Sequence, residues 1–376
     1  MDLSYNETQD MLRDSLARFL GDTYDFETRK KMLDSPEGRD PGIWKAIASE
    51  LGLTCAPFAE EYGGMGGGHL ENAIMMEELG KVIAIEPWLQ TVVIGGGALS
   101  AVGGAKAAEV IPQIISGDCV IAFAYAEPQG RYNLADIGTS AKADGAGFVL
   151  NGHKASVYAA PWATHLLVTA RTGGSRRERA GVELFLIDAK APGITRRDYA
   201  TVDGFRASEV YFENVAIPGD AHLPGGIELI EQITDEATVA VCAEGSGIAR
   251  KLLSGTVEYT QQRKQFGQPI GKFQVLQHRM ADMLVEAEQI TSMALMGTLK
   301  LSLPGAERKA AVSQVKAKVS RSLRAAGQAA VQTHGGIGIT MELAIGHYFK
   351  RATMIENQFG GADYHLERYE ALTLAD

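Results

Sequence analysis

The segment Arg263-Lys264-Gln265-Phe266-Gly267-Gln268-Pro269-Ile270-Gly271-Lys272-Phe273-Gln274 lies between two long helical patterns. It closes the pattern of Glu228–Arg263 and opens that of Phe273–Leu301. An arginine at a helix end, beside an aromatic residue and a glycine turn, is able to clamp a diphosphate through paired N–H donors. A polar turn between helices explains the same residues, so this segment alone leaves both interpretations open.

A second glycine turn, Gln332-Thr333-His334-Gly335-Gly336-Ile337-Gly338, ends a third helical pattern at Ala306–Gln332. Glycines let backbone N–H groups approach a ligand closely. Two such turns in one helical region favour the ligand-binding interpretation of both.

The middle of the chain changes from helical to β-like periodicity. Short apolar runs are separated by Gly, Pro and Asp, which is typical of a small antiparallel β domain. The clearest runs are Val120–Tyr125, Gly147–Leu150, His165–Ala170, Val182–Ile187 and Ser208–Phe212. Helical patterns precede them, as at Gln9–Phe19 and Leu70–Val82. The order α, β, α predicts separate α and β domains, at residues 1–119, 120–226 and 227–376, rather than a wound α/β sheet.

Composition narrows the class of protein. The 376 residues carry a net charge of −10, and no Lys/Arg stripe stands out, so we expect no nucleic-acid partner. No apolar run is long enough to span a membrane and the start has no signal pattern. Cys55, Cys119 and Cys242 lie far apart and are odd in number, which argues against a disulfide framework and predicts a reducing cytoplasm. No zinc-site spacing is present, so no metal is expected. The groups Gly63–Gly68 and Gly95–Gly97 do not read GxGxxG and are predicted to be loops and close helix contacts.

The chain resembles the acyl-CoA dehydrogenase family over nearly its full length. The matching stretches are Glu61–Gly64, Ala126–Pro128, Leu150–Lys154, Arg263–Gln274, Met280–Met283 and Gln332–Gly338. The resemblance implies a helical N-terminal domain, a middle β domain and a C-terminal four-helix bundle. It also implies FAD, an acyl-CoA thioester as substrate, and an electron-transferring flavoprotein as oxidant. Leu150–Ala155 and Arg196–Tyr199 are more closely similar to pimeloyl-CoA dehydrogenase small-subunit-like chains of heteromeric members.

The family's chemistry needs a buried carboxylate that removes the α-proton of the thioester. One family position for this glutamate, before a glycine that follows the last bundle helix, corresponds here to Phe359 or Gly360. The other, on the first long C-terminal helix, falls at Ala237-Thr238. Neither usual base is present in this chain.

Glu244 is the candidate that could replace the missing base. It lies two helical turns after Ala237 on the same face, among small residues in an apolar stretch. The alternative is a structural ion pair with an arginine of a neighbouring helix. Glu356 and Asp363 are weaker candidates, because a solvent-facing helix and a helix start explain them.

In homotetramers of the family, two subunits hold each FAD. The resemblance implies that one bundle contributes a set of phosphate and adenosine contacts, which are present here as Arg263, Phe266, Gln274, Gln332, Gly335 and Gly336. The ring contacts come from the other subunit's β domain, and the matching positions here are Ala126, Ser156 and Tyr158 instead of Thr, Trp and Thr. The changed flavin contacts are thus all on the β domain, and the flavin contacts of the bundle are all kept. Independent random substitutions would not divide the two sets in this way.

These observations predict one subunit of a heteromeric FAD-dependent acyl-CoA dehydrogenase, of α2β2 composition, with the flavin ring, the substrate and the base on a related partner chain. One alternative is a homotetramer that uses Glu244 as base. The other is a structural paralogue without catalytic activity. Dicarboxylyl and steroid side-chain thioesters are candidate substrates.

Overall fold

The structure, a computed structural model, describes residues 4–374. It confirms the predicted fold class, in which helical N- and C-terminal regions flank a β-sheet region. The helices are α1 Glu7–Thr23, α2 Phe26–Asp34, α3 Pro41–Lys45, α4 His69–Lys81, α5 Gly97–Val102, α6 Gly104–Ile115, α7 Gly226–Gln262, α8 Gln274–Lys300, α9 Gly305–His334, α10 Ala344–Asn357 and α11 Ala362–Thr373. The strands are β1 Ile121–Ala124, β2 Ser140–Asp144, β3 Gly147–Tyr158, β4 His165–Arg171, β5 Val182–Asp188, β6 Ile194–Ala200, β7 Arg206–Pro218, β8 His222–Leu223, β9 Lys264–Gln265 and β10 Gln268–Pro269.

Helix α1 shows how local sequence defines an element. Asn6 caps the helix: its side chain accepts from the N–H of Gln9 at 2.9 Å, and the Gln9 side chain accepts from the N–H of Asn6 at 3.0 Å. This reciprocal pair satisfies two backbone donors that the first turn leaves free. Leu12, Leu16 and Leu20 then recur every four residues and are buried, so they form the apolar stripe of the helix.

The chain divides into two compact units, whose limits differ from those of the predicted domains. One unit holds the chain up to Lys30, His69–Ala84 and the residues from Thr238 onward. The other holds Lys31–Gly68 and Ile85–Ala237. The predicted boundaries at 119/120 and 226/227 therefore stay a prediction about sequence domains.

In the first unit, α9 packs against α8, α10 and α11. Helix α7 approaches α4 closely where a glycine of each helix faces the backbone of the other helix. A Cβ on Gly80 would lie 2.2 Å from the carbonyl oxygen of Glu244, and one on Gly247 would lie 2.0 Å from that of Glu77. Only glycine permits this approach, which buries the stretch of α7 that contains Glu244.

In the second unit, the sheet runs in the order β6-β7-β3-β2-β4-β5-β8, and β1 also pairs with β4. Its core is apolar and includes Leu150, Phe185 and Val210. Most pairs are antiparallel, as predicted, but β1 runs parallel to β4 and β2 meets β4 in one parallel pair. The sheet is therefore mixed. The pairing of β3 with β7 shifts register between Lys154 and Val157, which marks a β-bulge.

The group Gly95–Gly97 is not a loop, which corrects one part of the prediction. Leu89–Gly96 is a π-helical segment that continues directly into α5. A Cβ on Gly95 would lie 2.7 Å from the Ile121 side chain, and one on Gly96 would lie 2.5 Å from the Phe58 ring. These glycines serve close packing, which was the other part of the prediction.

Candidate functional site

The segment that follows α7 forms a small hairpin, β9–β10, with Gln268 opposite Gln265. Its tip is Phe266-Gly267, and both residues have positive φ, 53° and 82°. Positive φ at both central residues is the geometry of tight hairpin turns, and it is costly for a phenylalanine. The Phe266 side chain is 91% exposed at this tip. Arg263 is exposed at the start of the hairpin, and its N–H donates to the carbonyl of Tyr259 at 2.8 Å.

The second predicted turn begins where α9 ends. Gly335 follows the helix with φ 68°. A Cβ on Gly335 or Gly336 would meet no atom within 4 Å, so the backbone here borders open space. Gln332 is also exposed. The N–H of Gly335 itself donates to the carbonyls of Gln332 and Val331, so what the turn offers a ligand is open access to its backbone.

The structure brings the two turns to the same end of the bundle. Tyr259, one turn before Arg263 on α7, stacks on His334, the last residue of α9, with 4.2 Å between ring centroids. Gln274 begins α8 directly after the hairpin and is exposed. The Tyr259–His334 contact therefore places the end of α7, which Arg263 follows, next to the end of α9, where Gln332 and Gly335 lie.

Apolar side chains are exposed around the same turns. Besides Phe266, the structure exposes Val275, Ile337, Ile339 and Met341. Clustered apolar exposure of this kind is typical of a surface that another molecule covers.

The two family positions for the base carry no carboxylate. Phe359 is buried with φ 60° and Gly360 has φ 115°. Two buried side chains contact the carbonyl groups of this loop. Phe359 O lies 3.1 Å from Nε2 of His365, and Gly360 O accepts from Nζ of Lys316 at 2.9 Å. Ala237 and Thr238, at the other position, are buried.

Lys316 is a site residue that the sequence reasoning missed. Its ammonium group also donates to the carbonyls of Ile355 and Glu356, at 2.8 and 2.9 Å, and so caps the end of α10. Burial lowers the pKa of Lys316 to about 8, and the nearby Cys242 acts in the opposite direction. The available signal was a lysine on the apolar face of α9, between Val315 and Val319.

Glu244 forms a buried ion pair with Arg351 of α10. Nε and Nη2 of Arg351 donate to its two carboxylate oxygens at 2.5 and 2.6 Å. Glu244 is 4% exposed and Arg351 2%. Both oxygens accept from the guanidinium, so the carboxylate is already engaged in a bidentate ion pair. The geometry therefore favours the structural interpretation of Glu244, and a catalytic role stays a hypothesis.

The β-bulge contains one of the positions that the resemblance assigns to the flavin ring, Ser156, and Tyr158 follows it in regular pairing with Ala207. Ser156 has φ 52° and is exposed, and its Oγ accepts from the Tyr199 hydroxyl at 3.3 Å. Tyr158 is half-buried, edge-on to Phe205. Ala126, at the third position, contributes its carbonyl to the N–H of Ala155 at 2.8 Å and has no hydroxyl to offer.

Beside the bulge lies a buried ion pair of Glu127 and Lys154, 2.8 Å apart. Burial by itself raises the pKa of Glu127, but Lys154 and the donors Thr139 and Gly138 outweigh it and lower the pKa to about 2. Burial lowers the pKa of Lys154 to about 8, against the attraction of Glu127. Both residues belong to stretches that carry the family resemblance, and the geometry gives them a structural role.

The described residues 4–374 contain no cluster of three or more Asp, Glu, His or Cys side chains arranged to hold a metal ion. Within the same range, no helix combines the length and apolar character that a membrane crossing requires.

Family models match three consecutive parts of the chain. The N-terminal, middle and C-terminal domains of acyl-CoA dehydrogenase match residues 6–118, 122–215 and 225–369. The chain belongs to the acyl-CoA dehydrogenase family. This confirms the resemblance, the enzyme class of CH–CH oxidoreductases and, at the level of the family, the cofactor FAD.

Individual members of the acyl-CoA dehydrogenase family are similar over most of the chain. The probable acyl-CoA dehydrogenase YngJ of Bacillus subtilis is 30% identical over 82% of this chain and 83% of its own. The acyl-CoA dehydrogenase IpdE2 of Mycolicibacterium smegmatis is 28% identical over 97% of this chain and 99% of its own. A solved variant of the Tcur3481–Tcur3483 steroid ACAD superposes with a TM-score of 0.89 at 27% identity, and the match covers 98% of both chains.

Proposed function

We propose that this chain is one subunit of a heteromeric FAD-dependent acyl-CoA dehydrogenase, of α2β2 composition. It holds the diphosphate and adenosine of a flavin whose ring, substrate and catalytic base lie on a related partner chain. The observation that carries the proposal is the contrast between an accessible clamp at the end of the bundle and a base loop that contains Phe359 and Gly360.

The clamp residues fit the anionic half of FAD. Arg263 is exposed and able to form charge-assisted hydrogen bonds with phosphate oxygens. The Gly335-Gly336 backbone borders open space, so a phosphate is able to approach it closely. Exposed Phe266 offers an aromatic face to the adenosine. When bound, the flavin ring supplies the acceptor for the hydride that leaves the β-carbon of the thioester.

The ring-side positions of this chain do not fit the flavin ring in the family's manner. Ala126 has no hydroxyl, Ser156 has no aromatic face, and Tyr158 is larger than the expected threonine. A partner chain with threonine-like residues at the first and third of these positions would supply what is missing. The exposed apolar side chains near the clamp support an interface at that end of the bundle.

The name of one similar structure supports a substrate class. The Tcur3481–Tcur3483 structure is named as a pair of chains and as a steroid ACAD. A steroid side-chain or dicarboxylyl thioester, re-oxidation by an electron-transferring flavoprotein and a cytoplasmic location are part of the proposal. The homotetrameric alternative would require Glu244 to act as base although it is ion-paired with Arg351, and the accessible clamp argues against a paralogue that binds no flavin.

Isolation of the tagged chain from its own cells tests the proposal. We expect a second acyl-CoA dehydrogenase-like chain of similar size to co-purify, with a glutamate at one of the two base positions. Absorbance at the flavin maximum should give about two FAD per tetramer. The chain expressed alone should be colourless or unstable. An active homotetramer with four FAD, made without any partner, would overturn the proposal and leave the homotetrameric alternative.

A further inference from the structure

A ring stack joins the two halves of the clamp. Tyr259 of α7 and His334 of α9 lie with ring centroids 4.2 Å apart and 25° between their planes. Tyr259 accepts the backbone hydrogen bond of Arg263, and His334 immediately precedes Gly335. Each ring is thus attached to one of the two elements that would contact the diphosphate.

Further contacts hold the His334 end of this stack. Nδ1 of His334 lies 2.8 Å from the carbonyl oxygen of Ala330, one turn back on α9, and the ring is buried. The Tyr259 hydroxyl donates to the carbonyl of His334 at 3.4 Å, and this peptide bond leads into Gly335. A Cβ on Gly338 would lie 2.9 Å from Cβ of His334, so the turn also folds back tightly onto this residue.

Diphosphate binding by two separate elements depends on the distance between them, because charge-assisted hydrogen bonds weaken when donors are misplaced. Arg263 and the Gly335 turn are exposed. Local backbone hydrogen bonds, such as that from Ile270 to the Arg263 carbonyl and that from Gly335 to Gln332, hold each of them to its own element. We propose that the Tyr259–His334 stack is a positioning pair that sets the spacing of Arg263 and the Gly335-Gly336 backbone, and thereby the affinity for the FAD diphosphate. This inference rests on the proposed function, since it assumes that FAD binds these two elements.

The chain offers a matched control for loss of such a stack. His153 and Tyr211 of the β sheet stack at 4.3 Å and 6°. Tyr211→Leu therefore removes a tyrosine–histidine stack of similar geometry from another part of the fold. Tyr259→Phe is the conservative variant, because it keeps the ring and removes only the hydroxyl.

The test uses the tagged full-length chain with its co-purifying subunits. The FAD dissociation constant, kcat at saturating FAD and the melting temperature are measured for each variant. We expect Tyr259→Leu to raise the FAD dissociation constant roughly 10-fold, with kcat at saturating FAD close to that of the unchanged protein. Tyr259→Phe should restore most of the affinity. Tyr211→Leu should leave it unchanged.

An unchanged FAD dissociation constant in Tyr259→Leu, with a lower melting temperature, would reduce the stack to a structural contact and overturn the inference. Equal weakening by Tyr211→Leu would do the same. If Tyr259→Leu does not assemble, His334→Asn removes the stack from the other helix, and the same two outcomes decide. Arg263→Ala distinguishes a failure of the proposed function from a failure of the positioning role. If Arg263→Ala also leaves the FAD affinity unchanged, the proposed function fails. If Arg263→Ala weakens FAD binding and Tyr259→Leu does not, only the positioning role fails.

Discussion

The clamp end of the bundle and the base loop at Phe359 belong to the same unit but differ in almost every physical respect. At the clamp, Arg263, Phe266 and Gly335 are exposed and border solvent. At the base loop, Phe359 and Gly360 are buried and tied by hydrogen bonds to interior residues. The predicted phosphate contacts are therefore accessible, whereas the family position for the base is filled by buried residues that carry no carboxylate. Four substitutions test this difference between the clamp end and the base loop.

Glu244→Gln should have the largest effect, and on stability rather than rate. The change leaves Arg351 buried without its carboxylate, which costs about 3–5 kcal/mol of the free energy of unfolding. Urea unfolding measures this cost. The activity of the assembled enzyme at low temperature should stay within about tenfold, whereas loss of a general base typically costs about 10²–10⁴-fold.

The matched control for Glu244→Gln is Asp10→Asn, which removes an exposed ion pair with Arg13 on α1. It should cost less than about 1 kcal/mol. Glu244 would instead be catalytic if Glu244→Gln lowered the rate as much as loss of a general base does, with fold and FAD content intact. The two regions would then not differ in the way described above.

Arg263→Ala should weaken FAD binding by about 1.5–3 kcal/mol, since a guanidinium–phosphate hydrogen bond is charge-assisted. Titration of the apo-tetramer with FAD, followed by flavin fluorescence, gives the dissociation constant. Lys300→Ala removes an exposed cation at the far end of α8 and serves as control. Unchanged affinity in Arg263→Ala would show that the accessible end of the bundle is not a flavin clamp.

Gly335→Ala tests the backbone of the turn. Its φ of 68° and ψ of −151° form a backbone conformation that is almost restricted to glycine and costs alanine about 1–3 kcal/mol, although a Cβ would meet nothing within 4 Å. We expect a lower melting temperature together with weaker FAD binding. Gly305→Ala, at the other end of α9 and equally open to a Cβ, should change neither. If both variants behave alike, the conformation of Gly335 is not what the site requires.

The base loop should show a pH dependence of stability, which is the smallest effect. Burial, together with the charges of Lys316 and Arg368, lowers the pKa of His365 to about 3 from 6.5. The unfolded chain therefore binds a proton that the folded chain does not, and stability falls as pH drops below 6.5. From pH 6.5 to 5.5 the loss is about 1 kcal/mol.

His365→Gln should remove this part of the pH dependence of unfolding, and His278→Gln, an exposed histidine of α8, should not. Urea unfolding at several pH values between 5.5 and 7.5 measures the difference. An unchanged slope in His365→Gln would mean that the base loop is less closed than its hydrogen bonds indicate.

Two strands that sequence periodicity did not predict, β6 and β2, were missed for the same reason. Strand β6, Ile194–Ala200, contains Thr195, Arg196, Arg197 and Asp198, and it lies at the edge of the sheet with mostly exposed side chains. Strand β2, Ser140–Asp144, is short and largely polar. Neither shows the apolar alternation on which strand prediction depends, because neither buries a full face. Pairing with β3 and β7 makes them strands.

The sequence by itself determined the family, the order of helical and β regions, the glycine turns and the absence of a carboxylate at the two base positions, because these depend on residue identity and local spacing. The tertiary structure decided how the residues meet. The sequence left Glu244 open to either a base or an ion pair, until α10 placed Arg351 within 2.6 Å of it. Lys316 looked like an ordinary helix lysine until three backbone carbonyls converged on it. Contacts between residues far apart in the chain depend on how the helices pack, and residue identity and local spacing do not show that packing.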